Sequence, residues 1–119
     1  MRIKLICSLF LGFCAVSAGA QETSAGRDLF VQNCQSCHGP EGKGDGPAGA
    51  ALDPAPRDLT RRPYKFGCGP GPVFRTITHG LEGTAMPGFG QSLTESERRQ
   101  IADYVFQLGR QGGCTCGGK

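Results

Sequence analysis

Cys34-Gln35-Ser36-Cys37-His38 places two thiols and an imidazole within five consecutive residues. Cysteines three positions apart lie on the same face of a helical turn. From there both sulfurs can add to the two vinyl groups on one edge of a porphyrin, and the adjacent histidine can turn its ring toward the iron. Cys-x-x-Cys-His is the attachment pattern of a c-type haem. The function that follows from a covalent haem is electron transfer. Cys-x-x-Cys also occurs in thioredoxin-like redox proteins and in zinc sites, so the rest of the chain has to discriminate.

A haem held by one histidine needs a second axial ligand or keeps an open position. Apart from Met1 the only methionine is Met86, and apart from His38 the only histidine is His79. Met86 lies in Gly83-Thr84-Ala85-Met86-Pro87-Gly88-Phe89. Pro87 biases it toward an extended backbone, and the glycines mark a loop. A thioether on such a loop can approach the iron from the side opposite His38, and His/Met is a recognised haem pairing. The alternative role for Met86 is an apolar gap-filler. His79 ends a short helical pattern, Pro72 to His79, with Pro in the first turn and Gly80 just past the end. A histidine there suits the helix dipole without further function, so Met86 is the expected ligand and His79 the alternative.

The elements that must position these groups read as helices. Leu29, Phe30, Asn33, Cys34 and Cys37 follow a helical period into the cysteine motif. Gly26 costs helix propensity and suggests close packing. Thr94-Glu95-Ser96-Glu97 is a capping box opening a helix whose Ile101, Tyr104, Val105 and Leu108 share one face, with Gly109 as its stop. Between His38 and Pro72 the chain reads mostly as loop. Its Gly39–Pro47 stretch is too glycine-rich for regular structure and fails the P-loop spacing.

Residues 1–20 have the form of a secretory signal peptide: a basic start, an apolar run too short to span a membrane, and Ala18-Gly19-Ala20 as a small-residue cleavage site. The expected domains are therefore 1–20 leader, 21–110 folded domain and 111–119 Gly/Cys-rich flexible tail. Lipidation at Cys14 is disfavoured by Phe13, where a small residue is expected. Export places the protein in an oxidising compartment, and no βαβ pattern surrounds the Cys-x-x-Cys. Losing Arg2 and Lys4 with the leader lowers the formal charge from +3 to +1, and two haem propionates would bring it to about −1. That balance predicts no nucleic-acid partner. No further apolar stretch is long enough for a transmembrane span.

Together the haem motif, the Met-Pro loop and the flanking helices make residues 24–108 resemble the class I c-type cytochromes, the small bacterial monohaem cytochromes c. The resemblance implies an all-α cytochrome c fold, three to five helices and long loops around one covalent haem c. It implies Cys34 and Cys37 as thioether attachments and His38 and Met86 as axial ligands. The implied protein is a periplasmic electron carrier, not an enzyme, shuttling single electrons between donor and acceptor complexes. A tethered subunit of a periplasmic oxidoreductase is the second possibility. By the same resemblance the Pro47 carbonyl accepts the His38 Nδ1 proton, Leu52 packs near the porphyrin, and Gly26, Phe30 and Tyr104 make a helix crossing. Arg57 is expected on a haem propionate, and Tyr64, Phe66, Phe74 and Phe89 in the haem pocket. Arg61, Arg62, Lys65 and Arg75 are either a solvated face or a docking patch for an acidic partner.

Cys68, Cys114 and Cys116 are surplus to this scheme. A disulfide from Cys68 to the tail, free thiols, and a soft-metal Cys-x-Cys site are the options. The rival to the haem reading is a zinc site joining Cys34 and Cys37 to Cys114 and Cys116. It leaves His38 and Met86 without a role and uses a one-residue spacing where zinc hairpins prefer two or more.

Overall fold

The computed structural model of the protein describes residues 18–67 and 69–110. Most of the expected leader, with Cys14, as well as Cys68 and the tail with Cys114 and Cys116, lies outside the described residues. Among the described residues four α-helices appear in chain order: α1 Ala18–Asn33, α2 Gln35–His38, α3 Pro70–His79 and α4 Glu95–Arg110. A single 3-10 turn, Pro47–Gly49, interrupts the long connection after α2. Among the described residues the only β pairing is an isolated bridge between Tyr64 and Gly67, so the expected all-α class holds.

The core forms where α4 meets α1 and α3. Phe30 and Ile101 are each 1 % exposed, and Ile77, Ala102, Tyr104 and Val105 are buried around them. On the α1 side, Gly26 lies so close to α4 that a Cβ there would overlap the Gln100 carbonyl oxygen and stand 3.1 Å from the Tyr104 Cβ. That approach lets the Phe30 and Tyr104 rings meet at 5.4 Å between centroids, tilted by 58°, within the range that favours aromatic pairs. The crossing is the one expected from Gly26, Phe30 and Tyr104.

α4 opens on the expected capping box. The Thr94 backbone N–H donates to Glu97 Oε2 at 2.7 Å, and the Glu97 N–H donates to Thr94 Oγ1 at 3.3 Å. Each side chain thereby satisfies a donor that a helix start leaves unpaired. Thr94→Ala should cost about 1 kcal/mol, read as a lower thermal midpoint. The Thr94 N–H, with the Thr94 hydroxyl donating to the same Oε2 at 2.8 Å, holds the Glu97 carboxyl below its usual pKa. A depressed folded-state pKa gives stability that is present above the ordinary glutamate range and lost as pH falls through the folded value. Acidification below about pH 4 should therefore loosen the start of α4, and Glu97→Gln should flatten that part of the pH profile.

α3 begins two residues earlier than its sequence pattern suggests, at Pro70 rather than Pro72, because a proline's missing N–H costs nothing in a helix's first turn. It stops at Gly80, whose φ of 74° takes the chain into the left-handed region and whose N–H donates to the Thr76 carbonyl at 2.8 Å.

Candidate haem site

α1 carries the chain into the cysteine motif with one break at Cys34, whose N–H still donates to the Phe30 carbonyl at 2.8 Å. The short α2 then presents Cys37 and His38, with the His38 N–H bonded to the Cys34 carbonyl at 2.9 Å. Sequence-adjacent groups are thus held by ordinary helical turns and need no long-range contact to keep their spacing.

Met86 needs more. Its loop folds back on the end of α3, where helix carbonyls lack partners. Phe89 N–H donates to the Ile77 carbonyl at 2.8 Å, Gly90 N–H to that of Thr78 at 3.0 Å, and Leu81 N–H to that of Met86 at 3.1 Å. Gly88 permits this, since a Cβ there would stand 2.8 Å from the His79 carbonyl carbon. From α4, Arg98 Nη1 donates to the carbonyls of Gly90 and Leu93 at 2.9 and 2.8 Å. The loop is therefore fixed by backbone and Arg98, independently of the methionine side chain. Arg98 was not identified from sequence; nothing in its immediate pattern distinguishes it from a surface cation.

These elements enclose one cavity of about 400 Å³ lined by Cys34, Cys37, His38 and Met86 together, with Leu52, Arg57, Tyr64 and Phe89 among the wall residues. Phe30, Leu59, Val73, Ile77, Ile101 and Val105 bring the helical core to the same wall. Pro54, Ala55 and Pro56 add a proline-rich side that sequence reasoning did not assign.

The Tyr64 hydroxyl donates its proton between the Leu59 and Val105 carbonyls, at 2.8 and 3.0 Å, tying the 59–64 segment to α4. Tyr64→Phe should cost about 1–2 kcal/mol in denaturant unfolding, since it leaves a buried helix carbonyl with one partner fewer.

Two pocket expectations change. Pro47 does not line the cavity; it opens the 3-10 turn and is itself exposed. The partner of His38 Nδ1 is instead the Arg57 carbonyl, at 3.3 Å. The reason lies in the glycine loop. Gly44 and Gly46 N–H groups donate to the His38 and Cys37 carbonyls at 2.8 and 3.1 Å, folding the loop tightly onto α2. Gly44, with φ of 81° and no side chain, lets the Pro56–Arg57 peptide lie against it. That brings the 57 carbonyl, not the 47 carbonyl, to the histidine. The second change is Phe74, which is absent from the cavity wall. Its ring lies under the guanidinium groups of Arg99 and Arg98, at 4.7 and 5.6 Å. Phe66 does reach the cavity, but it is 51 % exposed. The Arg57 guanidinium donates to the Pro63 carbonyl at 2.6 Å, leaving other N–H donors of its fork for an anion. His79 is exposed in the last turn of α3 and lies off the cavity wall.

The donor chemistry fits a haem c. A carbonyl can only accept, so the His38–Arg57 contact puts the ring proton on Nδ1 and leaves Nε2 with its lone pair. Burial lowers the His38 pKa, and the hydrogen bond to Arg57 opposes that only in part, so the ring is favoured in the neutral form a metal requires. Cys34 and Cys37 are free of any disulfide. Burial pushes the Cys34 thiol up to about 12, with Cys37 adding to the effect. The mostly aliphatic and aromatic wall suits a large flat apolar ligand.

Residues 21–105 match the family described as cytochrome c oxidase, cbb3-type, subunit III. The cbb3-type cytochrome c oxidase subunit FixP of Sinorhizobium medicae is 34 % identical, over 71 % of this chain and 29 % of its own length. The chain thus spans under a third of that subunit. Cytochrome c55X of Stutzerimonas stutzeri is 35 % identical over 89 % of this chain and 88 % of its own. Among solved structures, cytochrome c6 of the diatom Phaeodactylum tricornutum superposes with a TM-score of 0.58 at 24 % identity, covering 74 % of this chain and 94 % of that one; the match identifies the cytochrome c fold. With the haem motif, the fold and the family match in agreement, the chain belongs to the cbb3-type subunit III family and is a class I c-type cytochrome.

Proposed function

We propose that the protein is a periplasmic monohaem electron carrier that passes single electrons between redox complexes through one haem c. Cys34 and Cys37 attach the haem by thioethers, and His38 and Met86 are its axial ligands. The observation that carries this reading is the convergence of those four side chains, from α2 and from a loop beyond α3, on a single apolar cavity. The haem supplies a reversible one-electron couple. The chain's own residues do the rest: Arg57 orients His38, the end of α3 and Arg98 hold the Met86 loop, and the helical wall keeps water from the porphyrin faces. With both axial positions filled no coordination site is left for a substrate, which supports a carrier rather than an enzyme. Rigid ligands on both sides also keep the reorganisation between oxidation states small.

The test is a reduced-minus-oxidised visible spectrum of the purified protein with a haem-to-chain ratio. One haem per chain, with sharp reduced bands and no carbon monoxide binding, is expected. A colourless protein containing zinc would sink the proposal.

A second reading draws on the relatives that are oxidase subunits: the domain is a fixed haem subunit of a periplasmic oxidoreductase. No helix among the described residues is long and apolar enough to cross a membrane. Fractionation of the native host separates the two readings. A carrier appears alone in the periplasmic extract, and a subunit co-purifies with its enzyme.

A further inference from the structure

The cavity accounts for most of the molecule's chemistry, but not for Arg62. This half-buried cation stands beside Tyr64, whose ring forms part of the cavity wall. Its guanidinium lies 4.0 Å from the Phe106 ring centroid and 5.8 Å from that of Tyr64. Nη2 donates to the Phe106 carbonyl, while Nε is buried without an acceptor. Gly109 makes the room, since a Cβ there would meet the Tyr64 hydroxyl and stand 3.0 Å from the Arg62 Cγ. Among the described residues the ion pairs are made by Lys43, Arg61 and Arg99, and none by Arg62.

A cation removed from water without a counter-ion is costly. The two aromatic faces and the carbonyl at the negative end of α4 offset that cost only in part. The result is a positive charge held behind Tyr64, one residue layer from the cavity, and partly withdrawn from water, so that salt screens it less than the exposed cations around it. We infer that Arg62 sets the reduction potential of the haem, holding it up by opposing the extra positive charge that oxidation places on the iron. This rests on the haem reading above. It also separates Arg62 from the solvated basic segment to which its sequence neighbours assign it: Arg61, for comparison, pairs at the surface with Asp58 at 3.2 Å.

The experiment is a redox titration of the haem-loaded protein and three variants. Arg62→Gln and Arg62→Met remove the charge; the methionine keeps an apolar stem between the two rings and protects the fold if glutamine does not. Arg62→Lys keeps the charge but loses the planar fork. In either charge-removing variant the reduced-to-oxidised ratio at fixed ambient potential should fall roughly tenfold, equivalent to about 59 mV for one electron. The lysine variant should stay near the wild type, and the gap should persist in about 1 M salt, where surface charges are screened within about 3 Å. The methionine-to-iron charge-transfer band must be retained in every variant compared. A folded charge-removing variant at the wild-type potential overturns the inference. So does a lysine variant shifted as far as the methionine one, which would indicate packing, or a gap that closes in salt. A wild-type protein without haem bands overturns the haem reading and this inference with it, whereas haem bands with unmoved potentials overturn this inference alone.

Discussion

Met86→Ala is expected to give a folded, haem-loaded protein with an open axial position, a lower reduction potential and new affinity for carbon monoxide in the reduced state. Folding should survive because the loop does not depend on the thioether. Its anchors are the Phe89 and Gly90 N–H groups on α3 carbonyls and the two bonds from Arg98. The Met86 N–H also bonds to the Thr84 hydroxyl at 3.2 Å, and alanine keeps that contact. The lost side chain is half-buried, so lost burial should cost on the order of 1 kcal/mol, and the lost iron–sulfur bond adds to that. The redox effect should be far larger. Thioether ligation favours the reduced iron, and axial ligand choice spans about 0.8 V across haem proteins. A clear fall within that span is therefore expected on losing the methionine. The sulfur-to-iron charge-transfer band should vanish at the same time. An unchanged potential would reassign the sixth ligand. His79→Ala serves as the control: the residue is exposed and off the cavity wall, so potential and spectrum should not move.

The parts of the site legible in the sequence are those whose geometry is local. Cys34, Cys37 and His38 sit on consecutive turns, and their spacing alone predicts a shared face. Met86 was legible by elimination, since the chain offers so few soft ligands, and the glycines around it marked a loop. The capping box of α4 and the Gly26 crossing follow from side-chain and backbone rules with short reach. What sequence could not supply were contacts made by backbone carbonyls across long loops. A carbonyl belongs to every residue, so nothing distinguishes that of Arg57 from that of Pro47 until the fold of the Gly44 turn is known. Arg62 and Arg98 were obscured for a related reason. A half-buried arginine with no carboxylate partner and a loop-stapling arginine have the same one-letter identity as solvated neighbours, and only the absence of a carboxylate or the presence of two carbonyls sets them apart. Phe74 was misplaced because a ring one helical turn from the cavity-lining Ile77 can face either the cavity or α4. The arginines on α4 decide it.

Replacing Gly26 should have the largest effect on folding. On propensity alone Gly26→Ala ought to stabilise α1 by up to about 1 kcal/mol. The packing predicts the opposite sign. The alanine Cβ would overlap the Gln100 carbonyl oxygen and lie 3.0 Å from its carbon. Those atoms belong to the backbone of α4, which cannot rotate aside as a side chain can. Overpacking costs about 1–3 kcal/mol, and a contact with backbone belongs at the upper end, so a net loss of about 2 kcal/mol is expected for alanine. Gly26→Val adds two methyls to the same overlap and a β-branch in a helix. To relieve it, α1 must move away from α4, separating Phe30 from Tyr104 and opening the cavity wall that Phe30, Ile101 and Val105 share. A small domain has only about 5–15 kcal/mol in hand, so the valine protein should accumulate poorly and carry little haem, while the alanine protein should fold with a lower denaturation midpoint. The sign separates two accounts of this glycine. If Gly26→Ala raised the midpoint, the residue would be an unoptimised helix position; a lowered midpoint, with the Met86 spectral band intact, makes it the contact that lets the two helices close on the haem.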